Sequence, residues 1–93
     1  MRVRPVPGLN VAVDADGRLE LRTASDFGPG RYWCGPVGTM MWIALRQHDG
    51  DVGAAAETLA ALWETDPANA RADLDIWVDE VRDAGLVRNE PTP

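Results

Sequence analysis

The chain has 93 residues, and its nine arginines, with no lysine, stand against fifteen aspartates and glutamates for a formal net charge of −6. A chain of this length forms one domain with a small core. An acidic chain does not neutralise phosphates, which argues against nucleic acid and anionic membrane as main partners and favours a partner with lysine or arginine.

The cysteine and histidine content excludes some kinds of site. Cys34 is the only cysteine and His48 the only histidine, which excludes an intrachain disulfide and a multi-histidine metal site. We therefore expect no metal and no cofactor. The N-terminus lacks the apolar region of a signal peptide, and no apolar run is long enough to span a membrane. We expect a soluble cytoplasmic protein.

The first predicted element is a β-hairpin. Before it, "MRVRPVPG" carries two prolines and predicts an extended lead-in. "NVAVDADGRLEL" then alternates apolar and polar residues around Asp16-Gly17. A two-residue Asp16-Gly17 loop would set Val13 opposite Glu20 and mix the faces. A three-residue loop with a left-handed Gly17 is preferred, because it puts four aliphatic side chains on one face, namely Val11, Val13, Leu19 and Leu21.

The predicted third strand is short and leads into an apolar helix. "TASDFGPG" indicates a loop, after which the strand runs roughly from Arg31 to Cys34, and Gly35-Pro36 ends it. Pro36 suits the first turn of a helix. That helix is apolar on nearly every side, which predicts a central position in the core. Its apolar residues are Val37, Met40, Met41, Trp42, Ile43, Ala44 and Leu45.

Two further helices follow. Asp51 is the predicted N-cap of the second, and Asp66-Pro67 is the predicted start of the third. Both carry an apolar stripe at 3.6-residue spacing. Gly85 is the predicted C-cap, after which the chain folds back onto the last turn. "RNEPTP", residues 88–93, predicts a frayed tail.

This order of elements predicts an α+β fold in a single domain over residues 1–93. A small three-stranded antiparallel sheet would occupy residues 9–34, with a three-helix bundle over residues 36–86 on one face. The second and third helices, joined by "ETDPAN", suggest a helix-turn-helix with the sheet as its wing.

No constellation of residues predicts catalysis. Cys34 and His48 lie at opposite ends of the first helix, about 14 residues or roughly 20 Å apart, which is too far for a nucleophile and its base. The sequence has no calcium loop, glycine-rich phosphate loop or nucleophile elbow. We expect a protein that is not an enzyme.

The third helix carries an acidic cluster. Five acids against Arg71 and Arg82 argue against a DNA-recognition helix. The cluster is either the solvated face of an amphipathic helix or a rim that attracts a basic partner. Its members are Asp73, Asp75, Asp79, Glu80 and Asp83.

The aromatic strand "RYWC" exposes backbone N–H and C=O groups along one edge. Such an edge is either blunted or receives another chain by β-augmentation. Tyr32 and Cys34 point to one face, and Arg31 and Trp33 point to the other. One of these sets should help line a groove against the third helix, or both aromatics belong to the core.

Three segments together resemble a known family. They are a proline-rich start and hairpin, "RPVPGLNVAVDADGRLEL"; a helix with a "DG" turn and an Ala/Leu-rich helix, "VGTMMWIALRQHDGDVGAAAETLAALW"; and a closing helix, "DLDIWVDEVRDAGLV". In this order they resemble the PqqD-like domains, the recognition elements of ribosomally synthesised and post-translationally modified peptides (RiPPs), over roughly residues 4–88. Cys34-Gly35-Pro36 departs from the Leu-Asn that many relatives have there.

The resemblance implies a winged helix-turn-helix that acts as a peptide chaperone. The leader region of a precursor peptide would add as a strand beside the third strand and pack against the third helix. Ile76 lies outside the apolar stripe of the third helix, where an apolar side chain could form the bottom of a pocket for the guest. The implied peptide-binding residues are Arg31, Tyr32, Trp33, Cys34, Asp73, Leu74, Ile76, Trp77, Glu80 and Val81.

Free-standing members of about this length resemble the B1 proteins of lasso peptide biosynthesis. Those present the precursor to a separate leader peptidase of the B2 type and to a macrocyclase. The resemblance thus implies non-catalytic leader peptide binding, with no nucleic acid or membrane partner. Three alternatives stay open: a PQQ-pathway-type peptide carrier for a radical enzyme, a winged-helix DNA-binding regulator, and an interaction subunit of a larger complex.

Overall fold

The computed structural model describes residues 2–23 and 30–90, so the predicted loop at residues 24–29 and the last three residues lie outside it. Within these residues the chain forms five strands and three helices. In chain order they are β1 (Arg2–Pro5), β2 (Leu9–Val13), β3 (Leu19–Thr23), β4 (Gly30–Cys34), α1 (Pro36–Gln47), α2 (Val52–Trp63), α3 (Pro67–Asp83) and β5 (Val87–Glu90).

The predicted three-stranded sheet consists of β2, β3 and β4 in that order, and both pairings are antiparallel. The prediction of an α+β fold with a three-stranded antiparallel sheet and three helices is confirmed. β3 is central, so β2 and β4 are the two edges of this sheet. Pro36 is the first residue of α1, as predicted.

The hairpin of β2 and β3 has the three-residue loop that the sequence favours. Val11 lies opposite Leu21 and Val13 opposite Leu19, and Gly17 has a φ of 80°. The four aliphatic side chains therefore share a face, as predicted. Leu19 and Leu21 are buried, whereas Val11 and Val13 are 47% and 63% exposed. The helices thus cover β3 and leave this face of β2 open.

The predicted helix caps are present. The side chain of Asp51 accepts a hydrogen bond from Ala54 N at 3.1 Å, and that of Asp66 accepts one from Ala68 N at 2.8 Å. Each cap satisfies a backbone donor that has no partner inside its helix. These two caps therefore determine where α2 and α3 begin.

The C-terminal end of α3 also follows the prediction. Gly85 has a φ of 79°, and Leu86 N donates to Val81 O at 3.0 Å while Gly85 N donates to Arg82 O at 2.9 Å. This pair of bonds is a Schellman motif. It turns the chain back so that Leu86 is fully buried.

Both ends of the chain form a two-stranded sheet that the sequence did not predict. β1 and β5 pair antiparallel, with Val3 opposite Asn89. The prediction of a frayed tail is therefore wrong for residues 88–90. Each strand has four residues, which is too short for a recognisable period, and their pairing joins opposite ends of the chain.

β1 is held against the turn between α1 and α2. Val3 N donates to Gly50 O at 3.0 Å, Arg2 Nη1 donates to Asp49 O at 3.0 Å, and Arg4 Nη2 donates to Asp49 Oδ2 at 3.2 Å. Asp49 and Gly50 have positive φ values of 54° and 83°. This left-handed turn therefore offers its backbone oxygens to β1.

The core lies between the helix-facing side of the sheet and the three helices. Its most deeply buried large side chains are Leu21, Leu59, Leu74, Leu86 and Val81. They come from the sheet, from α2 and α3, and from the segment before β5, so one core joins the sheet to the helices. Among the described residues no helix has the length and apolar character needed to cross a membrane.

Candidate functional site

The backbone groups at the β4 edge can be assigned from the strand register. Asp14 N donates to Arg18 O at 2.9 Å, so Arg18 bonds to β2. Because the bonding direction alternates along an antiparallel strand, every second residue of β3 after Arg18 also bonds to β2. The residues between them, Leu19 and Leu21, therefore bond to β4. Every second residue of β4 is thus left facing outward.

Those outward groups belong to Arg31 and Trp33. Cys34 lies opposite Leu19 and Tyr32 opposite Leu21, so the backbones of Cys34 and Tyr32 face β3. The N–H and C=O groups of Arg31 and Trp33 face away from the sheet. A strand added there would lie about 4.8 Å from β4.

The side chains of β4 divide between the two faces of the sheet as predicted. Tyr32 and Cys34 lie on the helix-facing side, because their partners on β3 are buried in the core. Trp33 lies on the other side, opposite Glu20, and is 50% exposed. Tyr32 and Cys34 are therefore the pair that faces the helices.

Tyr32 connects β4 to α3. Its hydroxyl donates to Glu80 Oε2 at 3.0 Å. Partial burial and this bond raise the pKa of Tyr32 to about 12, with burial as the larger cause. The bond links α3 to the strand at the open edge of the sheet.

The exposed residues of α3 near this bond form one side of the helix. Asp73, Ile76 and Glu80 fall within roughly 60° of one another at 100° per residue, and Ile76 is 62% exposed. We call these three residues the outer flank of α3. Leu74 and Val81 are fully buried, so they hold α3 on the core and present no surface to a guest.

Trp77 and Cys34 both lie against Gly38, near the start of α1. A Cβ on Gly38 would lie 3.1 Å from Cys34 Cβ and 3.2 Å from Trp77 Nε1, so glycine allows α1 to approach both. Trp77 is 7% exposed and its indole N–H has no hydrogen-bond partner. Both residues therefore belong to the core beneath β4 rather than to its exposed edge.

The residues considered for catalysis have separate surroundings. Cys34 is 2% exposed, and burial raises the pKa of its thiol to about 11. His48 Nε2 lies 2.6 Å from Thr58 Oγ1, so the histidine is hydrogen-bonded rather than merely solvated. Among the described residues no group of three or more His, Cys, Asp and Glu could hold a metal ion.

We expect stability to fall at high pH because of Cys34 and Tyr32. Their unfolded pKa values are near 9.0 and 10.0, and their folded values are about 11 and about 12. The stability linked to the neutral forms is fully present below about pH 9 and is lost as pH rises through the folded values. Urea midpoints should be constant from pH 7 to about 9 and then fall, with a shallower fall above pH 10 for Tyr32→Phe. Equal slopes for both proteins would contradict the assignment to Tyr32.

A pocket lies elsewhere, on the side of α3 away from its outer flank. It has a volume of about 320 Å³ and is rimmed by two ion pairs, Arg71–Asp75 at 3.1 Å and Arg82–Asp79 at 2.7 Å. Its other lining residues are Val3, Val52, Val78 and Asn89. The sequence did not predict this pocket, because Val3 and Asn89 meet only through the pairing of β1 and β5. Strand addition needs an open edge rather than a cavity, so we place the candidate site at β4.

Comparison with known proteins identifies a family for this chain. The family described as coenzyme PQQ synthesis protein D (PqqD) matches residues 11–87. The matched span runs from the middle of β2 to the first residue of β5 and includes both β4 and α3. No curated protein and no solved structure matches the chain.

Proposed function

The chain belongs to the PqqD family of RiPP recognition elements, and we propose that it binds the leader region of a precursor peptide by strand addition at β4. Proteins of this family are peptide-binding partners of biosynthetic enzymes. In this proposal the chain catalyses no reaction itself. It orders a flexible leader so that a separate enzyme can act on the peptide.

The β4 edge beside the outer flank of α3 carries the proposal. Arg31 and Trp33 turn their backbone donors and acceptors outward, and a guest strand pairs with them without disturbing the bonds to β3. The bond from Tyr32 to Glu80 holds the outer flank next to that edge. Backbone pairing supplies affinity that does not depend on the guest sequence.

In this proposal, every second side chain of the guest strand determines which peptides bind. Guest residues opposite Tyr32 and Cys34 are two positions apart and point to the helix-facing side. An apolar side chain there meets Ile76, and a basic side chain meets Asp73 or Glu80. We therefore propose a leader in which an apolar and a basic residue alternate with residues that face solvent.

For the pathway, we propose a lasso peptide route, in which the bound leader is presented to a B2-type leader peptidase and a macrocyclase. The support is the acidic outer flank of α3, which suits a leader with basic residues. We likewise propose that α2 and α3 form a helix-turn-helix with the sheet as its wing.

A PQQ-type carrier for a radical enzyme remains the second candidate, favoured by the family match. Pull-down of the encoded peptidase or radical enzyme with the leader complex distinguishes the two.

Ile76→Glu is expected to weaken leader binding at least about tenfold, or 1.4 kcal/mol, because it places a charge on an apolar contact of the guest. Calorimetry with the leader half of a cognate precursor peptide measures the effect. Leu62→Glu is the matched control, because Leu62 is also 62% exposed but lies on α2. It should bind the leader normally.

Three results would contradict the proposal. One is equal affinity for the leader and for the mature core peptide. Another is an equal loss of affinity in Ile76→Glu and Leu62→Glu, which would place the contact away from the outer flank. The third is a salt-dependent shift of duplex DNA with no peptide binding, which would favour the DNA-binding alternative.

A further inference from the structure

The second edge of the sheet, β2, lacks the features that usually protect an edge. Its sequence, Leu9–Val13, contains no charged residue and no proline, and its five residues pair in unbroken register with β3. Val11 and Val13 are 47% and 63% exposed on the helix-facing side. Edges are normally blunted by charges, prolines or bulges, so an unprotected aliphatic edge indicates pairing with another strand.

The outward backbone groups of β2 follow from the same register. Asp14 bonds to β3, so the alternate residues Leu9, Val11 and Val13 turn their backbones away from it. Leu9 N donates to Val6 O at 3.2 Å, which leaves the Leu9 carbonyl for an outside donor. Val11 and Val13 each offer both a donor and an acceptor.

We propose that β2 pairs antiparallel with β2 of a second copy of this chain, about a twofold axis at Val11. The register that uses every outward residue sets Val11 opposite Val11 and Leu9 opposite Val13. Val11 N donates to Val11 O in both directions, and Val13 N donates to Leu9 O. The contact is self-complementary, as a twofold interface requires.

The neutral sequence of β2 fits a second copy locally, although two chains that each carry a net charge of −6 repel each other at longer range. In this register Asp14 lies opposite Gly8 of the second copy rather than opposite another acid, and antiparallel strands point the two acidic hairpin tips in opposite directions. A charged partner finds no ion pair on β2. A neutral aliphatic strand of equal length suits it, and β2 itself is such a strand.

The pairing leaves the β4 edges open. The two three-stranded sheets join at β2, so one β4 lies at each outer end of the combined sheet. Dimerisation therefore does not depend on peptide binding at β4, and either could hold without the other. If both hold, one dimer binds two peptides.

Cross-linking of single cysteines tests the twofold register. In Val11→Cys the two thiols face each other with Cα atoms about 5.5 Å apart, whereas in Val13→Cys they are separated by four residues, or roughly 14 Å. Cys34 is 2% exposed and should not react. A short bismaleimide should double the mass of Val11→Cys, with Val13→Cys and the unmodified protein as matched controls.

Sedimentation across a concentration series gives an independent readout. Val11→Asp places two like charges opposite each other and should weaken self-association at least about tenfold. Its unfolding midpoint, compared with wild type at a concentration where both proteins are monomeric, should shift little, because Val11 is 47% exposed. A wild-type protein that stays monomeric to roughly 1 mM would overturn the proposal. So would equal cross-linking of the two cysteine variants, which indicates collision rather than a fixed interface. Leader binding measured in parallel shows whether β4 functions regardless of this outcome.

Discussion

Gly50→Ala is expected to lower the free energy of unfolding by about 3 kcal/mol. A Cβ at this position would lie 2.3 Å from the carbonyl oxygen of Val3, and backbone atoms cannot move aside as the tip of a side chain can. The residue also has a φ of 83°, which disfavours any L side chain. Relief of the contact therefore requires β1 to leave the turn, which breaks the bond from Val3 N to Gly50 O.

Gly17→Ala distinguishes the steric contact of the new Cβ from the conformational cost of a positive φ. Gly17 has nearly the same φ, 80°, but a Cβ there would meet nothing within 4 Å. It should lose only about 1 kcal/mol, the conformational part. Urea unfolding of both variants measures the difference. Equal losses would mean that β1 does not pack on the α1–α2 turn as closely as the structure has it.

Trp77→Ala is expected to lower the free energy of unfolding by about 4 kcal/mol, the usual effect of removing a buried aromatic side chain. The indole is 7% exposed and packs where α1, α3 and β4 meet. The cavity lies beneath the β4 edge, so peptide binding should weaken in the same variant.

Trp77→Phe distinguishes support of the core from direct contact with a guest. Phenylalanine keeps an aromatic ring of similar shape and removes the indole N–H. We expect a loss below about 1.5 kcal/mol and unchanged leader affinity. Loss of affinity in Trp77→Phe without loss of stability would show that the indole touches the peptide.

The two edges of the sheet differ in ways that matter for function. β4 lies beside the outer flank of α3, so a strand added there meets specific side chains as well as a backbone ladder. β2 lies largely beyond the cover of the helices and offers only aliphatic side chains on its helix-facing side. An adaptable guest therefore suits β4, and an identical neutral strand suits β2.

Much of the candidate site was predictable from sequence. The alternation of Tyr32 and Trp33 between faces follows from strand geometry, and the outlying position of Ile76 follows from helical periodicity. The bond between Tyr32 and Glu80 was not predictable, because it joins residues 48 positions apart. Nor was the division of the α3 residues into the buried Leu74 and Val81 and the exposed outer flank beside β4, because that depends on how the helix is rotated against the sheet.

Local interactions explain what the sequence alone determined. Hairpin register, helix caps and the Schellman turn each depend on residues within a few positions of one another, so composition and spacing suffice to identify them. The pairing of β1 with β5, the exposure of β2 and the approach of α3 to β4 depend on contacts between distant segments. These features depend on the packing of the whole core. The helices and the sheet bury their apolar faces against one another, and only the complete arrangement determines which faces of the sheet are covered.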